Sequence, residues 1–185
     1  MSARSGARND PGRRDRISAA ALEIILEQGV ARVSHRAVAQ RADVPLGSMT
    51  YHFAGIDEVI TEAFTLLVTR QSERYHELLE APKTIEEAHE AIVEIICGED
   101  FSSPREMAGI FELYSYSRHS PASAALARTW MDNSAESLSR HFSPAAAEAI
   151  DSLIEGWTIH HHLLGAAPAR DRVRAAVQAI VASGD

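Results

Sequence analysis

The side chains best placed to do chemistry lie between Ser34 and Phe53, in the run SHRAVAQRADVPLGSMTYHF. Ser34, Arg36, Ser48, Thr50, Tyr51 and His52 bring a cation, hydroxyls and an imidazole together within that short segment. Such donors suit recognition of phosphate oxygens and base edges. Covalent chemistry is not signalled: the chain has no Ser-x-x-Lys, no Gly-rich phosphate loop and no His-Glu-x-x-His. His160, His161 and His162 are consecutive, and neighbours on a helix diverge by about 100°, so the three cannot converge on one metal ion. No cofactor and no metal are expected.

The elements that must hold these groups are short. Val38, Ala39 and Ala42 mark a first helix, Asp43 stands where the chain must turn sharply, and Pro45 suits the first turn of a second helix. Two helices of about two turns joined in this way form a helix-turn-helix, which lays its second helix in a DNA major groove. Val44, Met49 and Phe53 supply the underside of that helix, leaving Leu46, Ser48, Thr50, Tyr51 and His52 to point elsewhere. Gly47 is a poor helix former, and close approach to a phosphate or base edge would account for it.

The charge is divided accordingly. Residues 1–53 carry eight Arg against five acids, whereas the remainder has ten Lys or Arg against twenty-one acids, for an overall −8. A basic module on an acidic body is suited to binding DNA with the body held away from it.

The segment resembles the TetR family of transcriptional repressors. The matching residues run from Ile17-Ser18-Ala19-Ala20-Ala21 through Gly29, Val38-Ala39, Ala42 and Val44 to Gly47-Ser48-Met49-Thr50-Tyr51-His52-Phe53. By that resemblance Ser34, Arg36, Leu46, Gly47, Ser48, Thr50, Tyr51 and His52 contact DNA. Ser34, Tyr51 and His52 would meet the backbone, and Arg36 a base edge. There are three departures: Thr50 stands where an aromatic is commoner, Pro45 where Ser or Thr is usual, and Ile56 where the family often has Lys. The N-terminus of the helix beginning there is left as a weaker phosphate site.

The resemblance implies an all-α fold: a three-helix helix-turn-helix domain joined by a long helix to a helical ligand-binding and dimerisation domain, about nine helices in all. The divisions expected are a flexible arm over 1–12, the DNA-binding domain over 13–55 and the effector-binding and dimerisation domain over 56–185. An apolar content of 45% is enough for a buried core. Cys97, the only cysteine, excludes an internal disulfide and fits a reducing cytoplasm. No apolar run reaches membrane-spanning length.

In the body, Asp57 and Glu58 open a helix to about Glu80, Thr84 with Glu87 predicts a capping box, and Ser103-Pro104, Ser120-Pro121 and Ser143-Pro144 each mark a helix start. Met107, Phe111, Tyr114 and Arg118 recur at spacings of four, three and four, so one face carries a thioether, two aromatics and a cation. With Trp130 and Met131 they are candidates for an effector pocket; the alternative is that the apolar ones are core and Arg118 caps its helix. Ile150, Ile154, Trp157 and His161, with Val173, Val177 and Ile180, lie on two terminal helices that by resemblance pair with a second subunit. The expected partners are therefore near-palindromic DNA, a second copy of the chain and an unknown small-molecule effector. A helical-bundle metalloenzyme using His ligands, or a helix-turn-helix interaction module without DNA binding, are the alternatives.

Overall fold

The computed structural model describes residues 12–98 and 103–184. All but one residue of the expected N-terminal arm lies outside them. The described residues form nine α-helices and one 3-10 turn, with no strand among them. The chain divides into two compact units, Met1–Leu66 and Leu67–Asp185.

The first unit holds α1 (Arg13–Gln28), a 3-10 turn (Val30–Arg32), α2 (His35–Arg41), α3 (Gly47–His52) and the start of α4 (Ile56–Glu80). Ile17, Ala20, Ala21, Ile24 and Ile25 of α1 are buried, as their helical spacing predicts, and Leu22 joins them. Gly29 ends α1 at φ 85°, a conformation open to glycine without steric cost. Asp43 turns between α2 and α3 at φ 52°, the left-handed region its short polar side chain tolerates. Along α4, Val59, Ile60, Ala63 and Phe64 are buried in the first unit and Tyr75 and Leu79 in the second, so the one helix serves both cores.

The second unit continues through α5 (Ile85–Cys97), α6 (Pro104–Ser117), α7 (Pro121–Leu138), α8 (Pro144–Leu164) and α9 (Arg170–Gly184). The three Ser-Pro starts behave alike. Ser103, Ser120 and Ser143 each accept the backbone N–H three residues on, and proline takes the first helical position, where no donor is needed. At α5, Thr84 accepts from the Glu87 N–H at 3.2 Å, but the Glu87 carboxylate reaches the Lys83 N–H at 2.6 Å, one residue further out than the expected capping box. The last helix begins at Arg170, two residues after Pro168.

The core of this unit gathers Leu79, Ile92, Ile96, Leu138, Phe142, Ile150, Ile154, Val173 and Val177. Helix α5 packs on both α8 and α9, so it takes up their inward faces. The expected interface residues Ile150, Ile154, Val173 and Val177 are therefore part of the subunit's own core. Trp157 and Ile180 pack against the same core and remain partly open, as does His161. The periodicity identified a buried face correctly; what covers that face is α5 of the same chain.

Candidate functional site

Two regions stand out, one in each unit. In the first, Ser34 is extended and its hydroxyl oxygen accepts from the Ala37 N–H at 3.2 Å, capping α2. Arg36 is exposed in the first turn that follows. Helix α3 opens through tight turns in which the Ser48 and Met49 N–H groups donate to the Pro45 and Leu46 carbonyls. Its outer side is Leu46, Gly47, Thr50 and Tyr51, with Tyr51 77% exposed. Thr50 donates to the Gly47 carbonyl at 3.3 Å. The half-buried His52 sets its ring edge against Tyr51, with centroids 4.9 Å apart.

Ser48 is a correction. Expected among the outward residues, it is buried beside Met49. On so short a helix positions 47, 50 and 51 share one face, while 48, 49 and 52 turn toward the other. A Cβ added at Gly47 would meet nothing within 4 Å, so packing within the subunit does not require glycine there.

The end of α3 is clamped by Arg14 from α1. Its guanidinium donates to the His52 carbonyl, to Glu58 at 2.6 Å and to Glu62 at 2.9 Å, and lies 4.4 Å from the centroid of the Phe53 ring. Glu58 also accepts the Ala54 N–H at 2.6 Å. That backbone hydrogen bond, with Arg14 second, holds the Glu58 carboxyl below the usual carboxylate range. Glu58 thus places a carboxylate of the chain itself beside the start of α4.

The second region is a cavity between α4, α6, α7 and α8, lined by Gln71, Tyr75, Met107, Ile110, Phe111, Tyr114, Trp130, Ser134, Asp151, Ile154, Glu155, Thr158 and Ile159. Its volume is about 40 Å³, room for a few water molecules and well short of a drug-sized ligand. Met107, Phe111, Tyr114 and Trp130 line it as expected; the fully buried side chains of α6 are Ile110 and Leu113. Arg118 and Met131 do not line it. Arg118 is exposed at the end of α6, its N–H bonding the Ser115 carbonyl, and Met131 faces outward on α7. Arg118 lies one turn beyond Tyr114, past the cavity's rim, whereas Met131, next to Trp130 on α7, is turned about 100° away from it.

Sequence reasoning missed the acids. Asp151 and Glu155 lie one turn apart on α8, with Thr158 on the same face. Ser134 donates to Asp151, and the Tyr114 hydroxyl donates to Glu155 at 2.6 Å. Burial pushes the Asp151 carboxyl above its ordinary range, against the Ser134 hydrogen bond, and Glu155 adds to the rise. Burial likewise raises the Tyr75 and Tyr114 hydroxyls. The only signal in the sequence was an i, i+4 pair of acids flanking Ile154.

Among the described residues no group of three His, Cys, Asp or Glu could hold a metal ion, and no helix is long and apolar enough to cross a membrane.

Comparison with known proteins gives the chain its family. Residues 17–63 match the profile described as bacterial regulatory proteins, tetR family, and residues 85–184 match that of the BetI-type transcriptional repressor, C-terminal. A comparison with curated proteins found no match. Among solved structures, the transcriptional regulator SCO7518 of Streptomyces coelicolor A3(2) is 41% identical, with a TM-score of 0.86 over 92% of this chain and 99% of that one. SCO1917 of Streptomyces coelicolor A3, a TetR family member, is 27% identical with a TM-score of 0.76, covering 92% and 99%. The multidrug binding protein EbrR, solved with imidazole, is 27% identical with a TM-score of 0.75, covering 93% and 96%; it has also been solved with ethidium, malachite green and proflavin. With profiles matched in both units and a close structural relative along nearly its whole length, the chain belongs to the TetR family of bacterial transcriptional regulators.

Proposed function

We propose that the protein is a dimeric repressor that binds a near-palindromic operator through α2 and α3 and leaves it when a small molecule enters the cavity of the second unit. The observation that carries this is the outer side of α3. Leu46, Thr50 and Tyr51 stand exposed on a helix whose other side is buried, so the subunit spends a large aromatic and a large aliphatic residue on solvent. A groove of DNA gives those side chains something to contact, with Tyr51, His52 and Ser34 on the phosphate backbone and Arg36 and Thr50 toward base edges. Gly47 allows the backbone itself to come close.

The effector reading is supported by the cavity's aromatic wall and by EbrR, a relative bound to several small molecules. Helix α4 contributes Tyr75 to the cavity and Glu58 to the Arg14 clamp, so one element takes part in both regions. A ligand releases DNA only to the extent that it binds the released state better. The dimer forms through outward parts of α8 and α9, where Trp157, His161 and Ile180 are partly open and Leu163 and Leu164 are exposed. The protein works where the chromosome is, in the cytoplasm.

The test is selection of bound duplexes from a random DNA pool by the purified protein, with its mass in solution measured alongside. A near-palindrome bound by a dimer is expected, with affinity falling steeply as salt rises. Failure to enrich any sequence at low salt, with the fold intact, would overturn the reading.

A further inference from the structure

We infer that the cavity of the second unit takes an organic cation bearing aromatic rings, seated between the carboxylates of Asp151 and Glu155 and the rings of Tyr75, Phe111, Tyr114 and Trp130. This deepens the effector reading and rests on it.

The charge of the site is one-sided. Among the described residues no Lys, Arg or His lines the cavity, and the two acids, one helical turn apart, take hydrogen bonds from the neutral hydroxyls of Ser134 and Tyr114. Both carboxylates are partly withdrawn from water, which favours a countercharge, and a hydroxyl supplies only part of it. A cation entering the cavity would supply the rest, whereas an anion would meet two like charges. The raised Asp151 carboxyl agrees with this geometry, because burial and the Glu155 charge both act against its ionised form.

The walls narrow the class further. Tyr75 and Trp130 meet edge to face, with centroids 6.0 Å apart, and Phe111 and Tyr114 lie on α6. Aromatic faces attract desolvated cations and stack on planar rings. A flexible polyamine would use the acids and leave the rings idle.

At about 40 Å³ the cavity is closed to such a molecule. The Tyr114–Glu155 hydrogen bond ties α6 to α8 across it. The cation takes the place of the Tyr114 hydroxyl on Glu155, and Met107, unbranched and adaptable, moves with α6. A ligand that fits only the opened form shifts the protein toward that form.

Calorimetric titration of the full chain, free of DNA, with proflavin and with acridine tests this. The two share a ring system, but at slightly alkaline pH proflavin is a cation and acridine is neutral. Proflavin should bind at least about tenfold more tightly. Asp151→Asn and Glu155→Gln should each weaken proflavin by about tenfold or more and leave acridine unchanged, while Tyr114→Phe, which frees Glu155, should not weaken proflavin. Far-UV dichroism melts confirm that each variant folds. Equal affinity for the two dyes, wild-type proflavin affinity in both carboxylate variants, or no binding of either dye would overturn the inference. Release from an operator by an uncharged or anionic molecule would also sink it and leave the repressor reading standing. Carboxylate-dependent proflavin binding by a protein that selects no DNA would do the reverse.

Discussion

Arg14 on α1 donates to Glu58 on α4 at 2.6 Å while its other terminal nitrogen holds the His52 carbonyl, so one side chain joins three helices at the end of α3. That end carries Tyr51 and His52, the residues assigned to the phosphate backbone. The end of that helix is held by a side chain from α1.

Arg14→Ala is expected to weaken binding to all DNA sequences alike, because the clamp orients α3 without reading bases. The cost to stability should be no more than about 1 kcal/mol, since the pairs are more than one-third exposed and screened by solvent. Binding curves on specific and random duplexes, beside a urea melt, check both. A large loss of stability with unchanged DNA affinity would place Arg14 in the core's service alone.

Tyr51→Ala and Arg36→Ala separate backbone contact from base reading. Both side chains are exposed, so stability should change by less than about 0.5 kcal/mol in either. Tyr51→Ala should lower affinity for every sequence, and Arg36→Ala should also relax base preference at about 1–3 kcal/mol of discrimination. Unchanged affinity in both at physiological salt would remove them from the interface.

Asp151→Asn should stabilise the free protein near neutral pH. The folded state raises this carboxyl, so its contribution to stability is complete below the ordinary carboxylate range and is lost as pH rises through the raised value. Asparagine can still accept from Ser134 and carries no charge to bury. The melting temperature should rise by a few degrees at neutral pH, at about 2–4 °C per kcal/mol, and the difference should vanish in acid. A melting temperature that falls at neutral pH would mean the ionised acid is favoured by the fold.

Ile150→Ala distinguishes core from interface. Ile150 is completely buried within the subunit, so truncation should cost about 2–5 kcal/mol in a denaturant melt. An interface residue would instead loosen the dimer and leave the subunit's own unfolding nearly unchanged. A loss confined to dimerisation would return α8's inner face to the partner subunit.

Much of the fold was legible because helix ends and buried faces are local. The Ser-Pro starts at 103, 120 and 143, the turn at Asp43 and the stripe from Ile17 to Ile25 each follow from residues within a turn or two of one another. Ser48 was misplaced because a helix of six residues leaves the phase of its polar side open by a residue. Four of the six candidate pocket residues line the cavity, since aromatic side chains at helical spacing mark a face whatever covers it.

Local spacing could establish that α8 has an apolar face and a neighbouring acidic one, together with the cap that begins it. It could not say that α5 covers the first, leaving Ile150 and Val177 no surface to offer a partner, or that α6 and α7 close over Asp151 and Glu155. An acid beside an apolar stripe has the same sequence pattern whether water or another helix lies against it. Its chemistry was decided by the packing of helices far apart in the chain, which partly withdrew two carboxylates from solvent and set Tyr114 and Ser134 upon them.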